Sequence, residues 1–244
     1  MNSPKEMFKG FVRTQNAMGF MATALDEYAQ HFLEFVPRAS GPIVDIGAAY
    51  GIMTLALLER GARVIVIDSD SNHLDAIRQN VSPHLMNRLE LKQGIFPDEI
   101  ELPHESIGAI YLGRVLHFLD GPTLERGIQK LWKWLVPGGK VVATSVTPYI
   151  NGFQSIAKIY EENRRNEELW PGFIEDVSQY IPVLWTACMP LKMHFLDQEV
   201  LTRVFTQAGF QIEKVSTFTN THSPESMRLD GREYGGIIAC KPEK

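Results

Sequence analysis

Apolar and polar positions alternate in two rhythms along this chain. Short apolar runs bounded by glycine, proline or charge recur at GPIVDIG (41–47), ARVIVID (62–68), LELKQG (89–94), AIYLG (109–113) and KVVATSVT (140–147). Their length and β-branched content predict buried strands. Between them, apolar residues return at helical spacing. IMTLALLER runs into Gly61, a glycine stop, and HLDAIRQNV follows a polar Ser71–Asn72 start. In TLERGIQKLWKWL, Leu124, Ile128, Leu131 and Leu135 share one face. FPDEIELPHES, between the third and fourth strands, is short and carries two prolines, so no crossover helix is expected there.

Strands that alternate with helices need crossover connections, which predicts a parallel sheet covered on both faces. The rhythm breaks from about Ile150 to Phe195, where Phe153, Tyr160, Trp170, Phe173, Tyr180 and Trp185 are interleaved with glycine, proline and charge. It resumes with the helical QEVLTRVFTQAGF, the strand FQIEKVSTFT, a polar loop over 220–232 and the strand EYGGIIACK. That loop has no apolar periodicity to make a crossover helix, so the last two strands should be antiparallel. The expected sheet is mostly parallel with a reversed final strand.

Four stretches follow from this pattern. Residues 1–40 are expected as an N-terminal helical segment acting as a lid, centred on AMGFMATALDEYAQHFLEF, with Met18, Phe20, Met21, Tyr28 and Phe32 closing it. Residues 41–149 form the core, 150–195 an aromatic insertion covering an acceptor, and 196–244 the last helix and two strands.

A chain of 244 residues with 44% hydrophobic residues has enough apolar side chain for one sizeable core. The net charge of −5, without a basic block, gives no sign of a nucleic-acid partner; Arg164–Arg165 is the nearest approach and has acids on both sides. Cys188 and Cys240 stand far apart with no CxxC, so neither a disulfide framework nor a metal site is expected. The opening MNSPKEMFKGFVRTQ lacks the apolar stretch of a secretory signal, and no run approaches the roughly 18 residues of a membrane span. A cytoplasmic protein is the expectation.

The chemistry concentrates where strands end. In an open parallel sheet, ligands bind beyond the carboxyl ends of the strands, where strand order reverses. VDIGAAYG (44–51) would lie at such an end. Gly47 admits backbone geometry closed to other residues and lets a ligand come close, while Gly51 opens the next helix. Asp45 brings negative charge, which suits a cationic or amine-bearing ligand and disfavours a pyrophosphate. The second strand ends in Asp68, whose carboxylate can accept hydrogen bonds from a ribose diol. A ribose joined to an ammonium-bearing tail describes S-adenosylmethionine, which also carries a sulfonium.

Together, VDIGAAYG, VIVID, AIYLGRVLHFL, LVPGGKVV and AGFQIEKV resemble the class I S-adenosylmethionine-dependent methyltransferases, over about Gly41 to Cys240 with a break at 150–195. The resemblance implies an α/β, three-layer, Rossmann-like fold with a seven-stranded, mostly parallel sheet and an antiparallel last strand. It implies S-adenosylmethionine as cofactor and S-adenosylhomocysteine as product. It carries the methionine-holding turn over to Asp45, Gly47, Ala48 and Gly51, and the ribose-holding acid and its neighbour to Asp68 and Ser69. The adenine segment maps to Gly94, Ile95 and Phe96, with His73 against the ring. The loop beside the transferred methyl maps to Gly113 and Arg114, with His117 one turn on. Two positions depart from the family pattern. Ala49 stands where a glycine is usual, and Ile95 where an acid often meets the adenine amino group, leaving backbone and apolar contact to hold the base.

Methyl transfer is an in-line displacement that mainly needs alignment and exclusion of water. Neither GxSxG nor HExxH is present, and LGRVLH lacks the Asn-Pro-Pro-Tyr type segment that resembles amino-methylases of adenine or glutamine. A small organic acceptor bearing a hydroxyl, carboxyl or amine is expected, with His117 and His194 as candidate bases. Two other readings stay open. One is a catalytically silent binding or assembly module on the same fold. The other is a nicotinamide-dependent oxidoreductase, which would want the GxGxxG that 47–51 does not supply.

Overall fold

The computed structural model describes residues 6–8, 10–186 and 189–243. Cys188 and the first five residues of the expected N-terminal segment lie outside the described residues.

The chain opens with three short strands, β1 (Glu6–Phe8), β2 (Phe11–Arg13) and β3 (Phe20–Ala22), paired antiparallel in that order. The helix expected over 17–35 is therefore only half right. Ala17 (φ 56°) and Gly19 (φ 114°) turn the chain back on itself, and both the amide and the hydroxyl of Thr14 donate to the Gly19 carbonyl. Helix α1 (Glu27–Phe35) starts only at Asp26, whose carboxylate caps it by accepting the Ala29 N–H.

The central elements follow as β4 (Ile43–Ile46), α2 (Ile52–Glu59), β5 (Val64–Asp68), α3 (Ser71–Asn80), β6 (Leu89–Gln93), β7 (Ile107–Gly113), α4 (Gly121–Trp134) and β8 (Leu135–Val146). No helix forms between β6 and β7. The insertion holds α5 (Gln154–Arg165), β9 (Phe173–Ile174), α6 (Val183–Thr186) and β10 (Met193–His194). The chain then ends in α7 (Gln198–Gln207), β11 (Gln211–Phe218) and β12 (Tyr234–Cys240). Helix starts are set by acids: Asp70, Asp120 and Asp197 each accept a backbone N–H from the first turn of α3, α4 and α7. The α3 cap is thus one residue earlier than the sequence pattern implies.

Seven strands make the main sheet, in the order β11-β12-β8-β7-β4-β5-β6. β4 pairs parallel with β5 on one side and β7 on the other. β12 runs antiparallel to both β8 and β11. This is the three-layer α/β fold with a reversed last strand. β6 is one of the two edge strands, with β11, and is only half-buried because just one strand flanks it.

Each face of the sheet buries its own layer. One packs against α4 and α7 through Leu124, Ile128, Leu131, Leu201 and Phe205. The other packs against α1, α2 and α3 through Phe32, Met53, Leu57 and Ile77. Burying each such side chain contributes roughly 1.5–3 kcal/mol of transfer free energy. Tyr28 and Phe32, expected in a lid, are instead wholly buried in this second layer. A third cluster, built on Ile150, Phe153, Ile156, Val177, Met193 and Phe195, belongs to the insertion. Among the described residues no helix is long and apolar enough to cross a membrane.

Candidate active site

Strand order reverses at β4: the chain goes from β4 to β5 on one side and returns as β7 on the other. Their carboxyl ends therefore diverge into loops that flank a crevice. A cavity of about 590 Å³ opens there, between those loops, the β1–β3 sheet and the insertion. That is within the range of small-molecule sites.

The turn after β4 is built on left-handed backbone. Gly47, Ala49 and Gly51 have φ of 68°, 49° and 80°. A Cβ on Gly47 would overlap Val115 Cγ2, and one on Gly51 would sit 2.7 Å from Ile77 Cγ1. Close packing, as much as backbone freedom, thus requires both glycines. Gly47 and Ala49 line the cavity, whereas Ala48 and Gly51 do not.

Asp45 is turned away from it. Its Oδ2 accepts from Thr54 Oγ1 at 2.6 Å, in a fully buried position. Burial, opposed by the Thr54 hydrogen bond and reinforced by the Asp68 charge, pushes its carboxyl up to about 7. The charge expected to face a ligand amine is therefore held behind the turn.

Asp68 does line the cavity, and its carboxylate is held from three directions. Oδ2 accepts the Ala49 N–H at 3.0 Å, and Oδ1 the Asp70 N–H at 2.9 Å. His73 Nδ1 approaches Oδ1 at 3.2 Å, and its Nε2 accepts the Gln15 N–H at 3.1 Å. A carboxylate offers about four lone-pair sites, so one remains for a ligand rather than the two a diol would use. His73 itself is buried, edge-on to Tyr50 at 5.5 Å, and its ring nitrogens both have protein partners. Ser69 follows at the rim.

Gly94, Ile95 and Phe96, after β6, line the same cavity. Ile95 is exposed and its N–H is taken by Glu99 Oε2 at 2.9 Å, while Phe96 is buried edge-on to Trp134. Gly113, Arg114 and His117, after β7, form the opposite wall. Arg114 is left-handed (φ 59°), with its guanidinium carbon 5.7 Å from the Phe11 ring centroid and 5.8 Å from that of Tyr234. Its Nη1 is buried without a hydrogen-bond partner, and so is His117 Nδ1. Burial and the Arg114 charge push the His117 imidazolium down to about 3, so the ring is neutral.

His194 lies elsewhere. It lines a neighbouring cleft with Trp170 and Phe173, and its Nδ1 lies 2.9 Å from the Leu119 carbonyl oxygen. Burial pushes it down to about 4. The expectation that it faces the reacting end of the site does not hold, because β10 carries it behind Phe118 and Leu119.

The remaining walls are apolar. Met18, Phe20 and Met21 come from the N-terminal sheet, Phe153, Trp185 and Met193 from the insertion. Phe20 and Trp185 meet edge to face at 5.9 Å, joining the two segments. The lining residues that escaped the sequence reading include Thr14, Met227 and Tyr234. Of these, Met227 left a trace as one of two apolar residues, with Leu229, in the polar loop before β12.

Comparison with known proteins places this geometry. Residues 43–139 match the model of a methyltransferase domain. An uncharacterized methyltransferase of Mycobacterium tuberculosis is 28% identical over 127 residues, 52% of this chain and 49% of that protein, so the match spans about half the relative's length. Phosphoethanolamine N-methyltransferase 3 of Arabidopsis thaliana is 25% identical over 122 residues, 49% of this chain and 25% of that protein. Among solved structures, an S-adenosylmethionine-dependent methyltransferase of Methanosarcina mazei superposes with a TM-score of 0.66 at 18% identity, covering 90% of this chain and all of its own. The glycopeptide N-methyltransferase MtfA, in complex with S-adenosylhomocysteine, gives 0.60 at 15% identity, covering 88% of each chain. With the sheet order and the turn at 44–51 in agreement, residues 43–139 match a methyltransferase domain, and the chain shares the fold of S-adenosylmethionine-dependent methyltransferases.

Proposed function

We propose that this protein transfers a methyl group from S-adenosylmethionine to a small organic acceptor held in the apolar half of the cavity. What carries the reading is that Asp68, the glycine turn and an apolar chamber line one cavity at the switch point. The residues fit the cofactor: Asp68 keeps one lone-pair site for a ribose hydroxyl, Gly47 leaves its backbone bare, and Ile95 and Phe96 offer apolar surface to a base. When bound, the cofactor supplies a methyl carbon made electrophilic by its sulfonium.

The chain's own part is positioning. Alignment of two reactants removes an entropic barrier that can be worth several kcal/mol. Met18, Phe20, Phe153 and Trp185 keep water from the acceptor. His117, neutral because it is buried, orients the acceptor by a hydrogen bond at Nδ1 and takes no proton of its own near neutral pH. Hydroxyl, carboxyl and amine acceptors all suit such a site; two of the compared proteins carry N-methyltransferase names.

The test is a melting titration. S-adenosylmethionine at a hundred times its dissociation constant should stabilise the protein by about 2.7 kcal/mol, and Asp68→Ala should abolish the shift. No shift at saturating cofactor overturns the proposal.

A further inference from the structure

The cavity contains a cation, Arg114, that makes no ion pair within 4 Å among the described residues. Arg114 sits in left-handed backbone, a conformation that side chains other than glycine adopt at a cost, directly after β7. Phe11 and Tyr234 flank its guanidinium, and its Nη1 is buried with no hydrogen-bond partner among the described residues. No acid pairs with it among the described residues. A buried donor left unpaired is costly. A second partnerless nitrogen, His117 Nδ1, belongs to the same wall. Elsewhere the acceptor half is lined by methionine and aromatic side chains, and the one carboxylate on the cavity wall, Asp68, already serves Ala49, Asp70 and His73.

We infer that Arg114 is the carboxylate-binding residue of this cavity. The planar fork of guanidinium donors matches a carboxylate in bidentate fashion, and the dry aromatic surroundings strengthen the pair. The carboxylate can come from an acceptor, which would make that acceptor an apolar organic acid, or from the amino-acid tail of the cofactor. The inference builds on the proposed function, and the test separates the two sources.

Calorimetry on the full chain compares wild type, Arg114→Met and Arg114→Lys with four probes. S-adenosylhomocysteine carries the tail carboxylate and methylthioadenosine lacks it; phenylacetate and its methyl ester are offered with and without S-adenosylhomocysteine. If the cofactor supplies the anion, Arg114→Met weakens S-adenosylhomocysteine at least tenfold and leaves methylthioadenosine within twofold. If the acceptor does, S-adenosylhomocysteine is unchanged, phenylacetate loses at least tenfold, and the ester responds to neither variant. Arg114→Lys keeps the charge without the fork and should fall between, and it carries the test if the methionine variant does not fold. Wild-type affinity of both variants for S-adenosylhomocysteine, with no Arg114-dependent binding of phenylacetate, overturns the inference. Failure of the wild type to bind either nucleoside overturns instead the cofactor reading, and the phenylacetate arm without nucleoside still decides the role of Arg114.

Discussion

The carboxylate of Asp68 and the imidazole of His73 meet at 3.2 Å, Oδ1 to Nδ1, with both side chains buried. Because Nε2 of the same ring accepts the Gln15 amide, the proton of a neutral ring sits on Nδ1 and points at Asp68. The imidazole thereby ties the β2–β3 hairpin, which forms one wall of the cavity, to the acid that ends β5. Tyr50 adds a second tie, donating to the Arg13 carbonyl at 2.9 Å.

His73→Phe should fill the same space while losing both hydrogen bonds. Leaving the Gln15 amide and one carboxylate site without partners should cost about 1–3 kcal/mol. In a chain of this size that is a drop of roughly 2–12 °C in Tm. Cofactor affinity should fall as well, since Asp68 loses a fixed orientation. Equal melting curves for variant and wild type would show that the pair is ornamental to the fold.

Gly47→Ala tests whether the turn after β4 is limited by packing or by backbone. The added Cβ collides with Val115 Cγ2 and is also held at φ 68°. Val115→Ala in the same chain removes the collision and leaves the backbone strain. The Gly47 substitution should therefore cost less in the Val115→Ala background than in wild type, with a coupling of at least about 0.5 kcal/mol in a double-mutant cycle. Additive losses would place the whole cost in the backbone.

Ala49 occupies left-handed backbone at φ 49°, where a side chain costs about 1–2 kcal/mol. Ala49→Gly removes that cost but gives the unfolded chain more freedom, worth about 0.4–1 kcal/mol in the other direction. The net expectation is a protein as stable as wild type or up to about 1.6 kcal/mol more stable in urea titration. The Ala49 N–H that donates to Asp68 is kept, so cofactor affinity should not fall. A loss of more than 1 kcal/mol would contradict the strain.

These positions also mark how far the sequence could be read. The seven sheet strands were legible because buried parallel strands are near-continuous apolar runs, and the reversed last strand because no periodic segment lies between β11 and β12. Strands β2 and β3 were not, since three residues are too few to show alternation against the helical spacing of their neighbours. That Asp68 lines the cavity was legible from its place at a strand end. The inward turn of Asp45 was not: it depends on Thr54, nine residues on, rotating into reach once α2 packs on the sheet. His73 lines the cavity, but the stacking role expected of it is replaced by hydrogen bonds, one of them to Gln15, 58 residues away in sequence. His194 was misread for the same reason, its ring being fixed by Leu119 across the fold.

Three buried groups should leave opposed marks on the pH dependence of stability. Asp45 holds its proton up to about pH 7 in the folded chain, against an ordinary value of 3.8. Its contribution is therefore complete below pH 4 and is lost as pH rises through 7. His117 and His194 are pushed down to about 3 and about 4, against 6.5, so the unfolded chain takes up their protons first. Their contribution is complete above pH 6.5 and is lost as pH falls toward 4. Between about pH 4 and 6.5, two groups that favour the fold at higher pH oppose one that favours it at lower pH. Difference measurements separate them. The stability of Asp45→Asn relative to wild type should rise from pH 4 to pH 8, because the variant has no charge to bury. That of His194→Gln should rise in the other direction, improving by about 1–2 kcal/mol from pH 8 to pH 5. Urea titrations of the three proteins at pH 5, 6.5 and 8 decide the matter. Differences that stay flat across that range would mean that Asp45 and His194 are solvated in the folded chain.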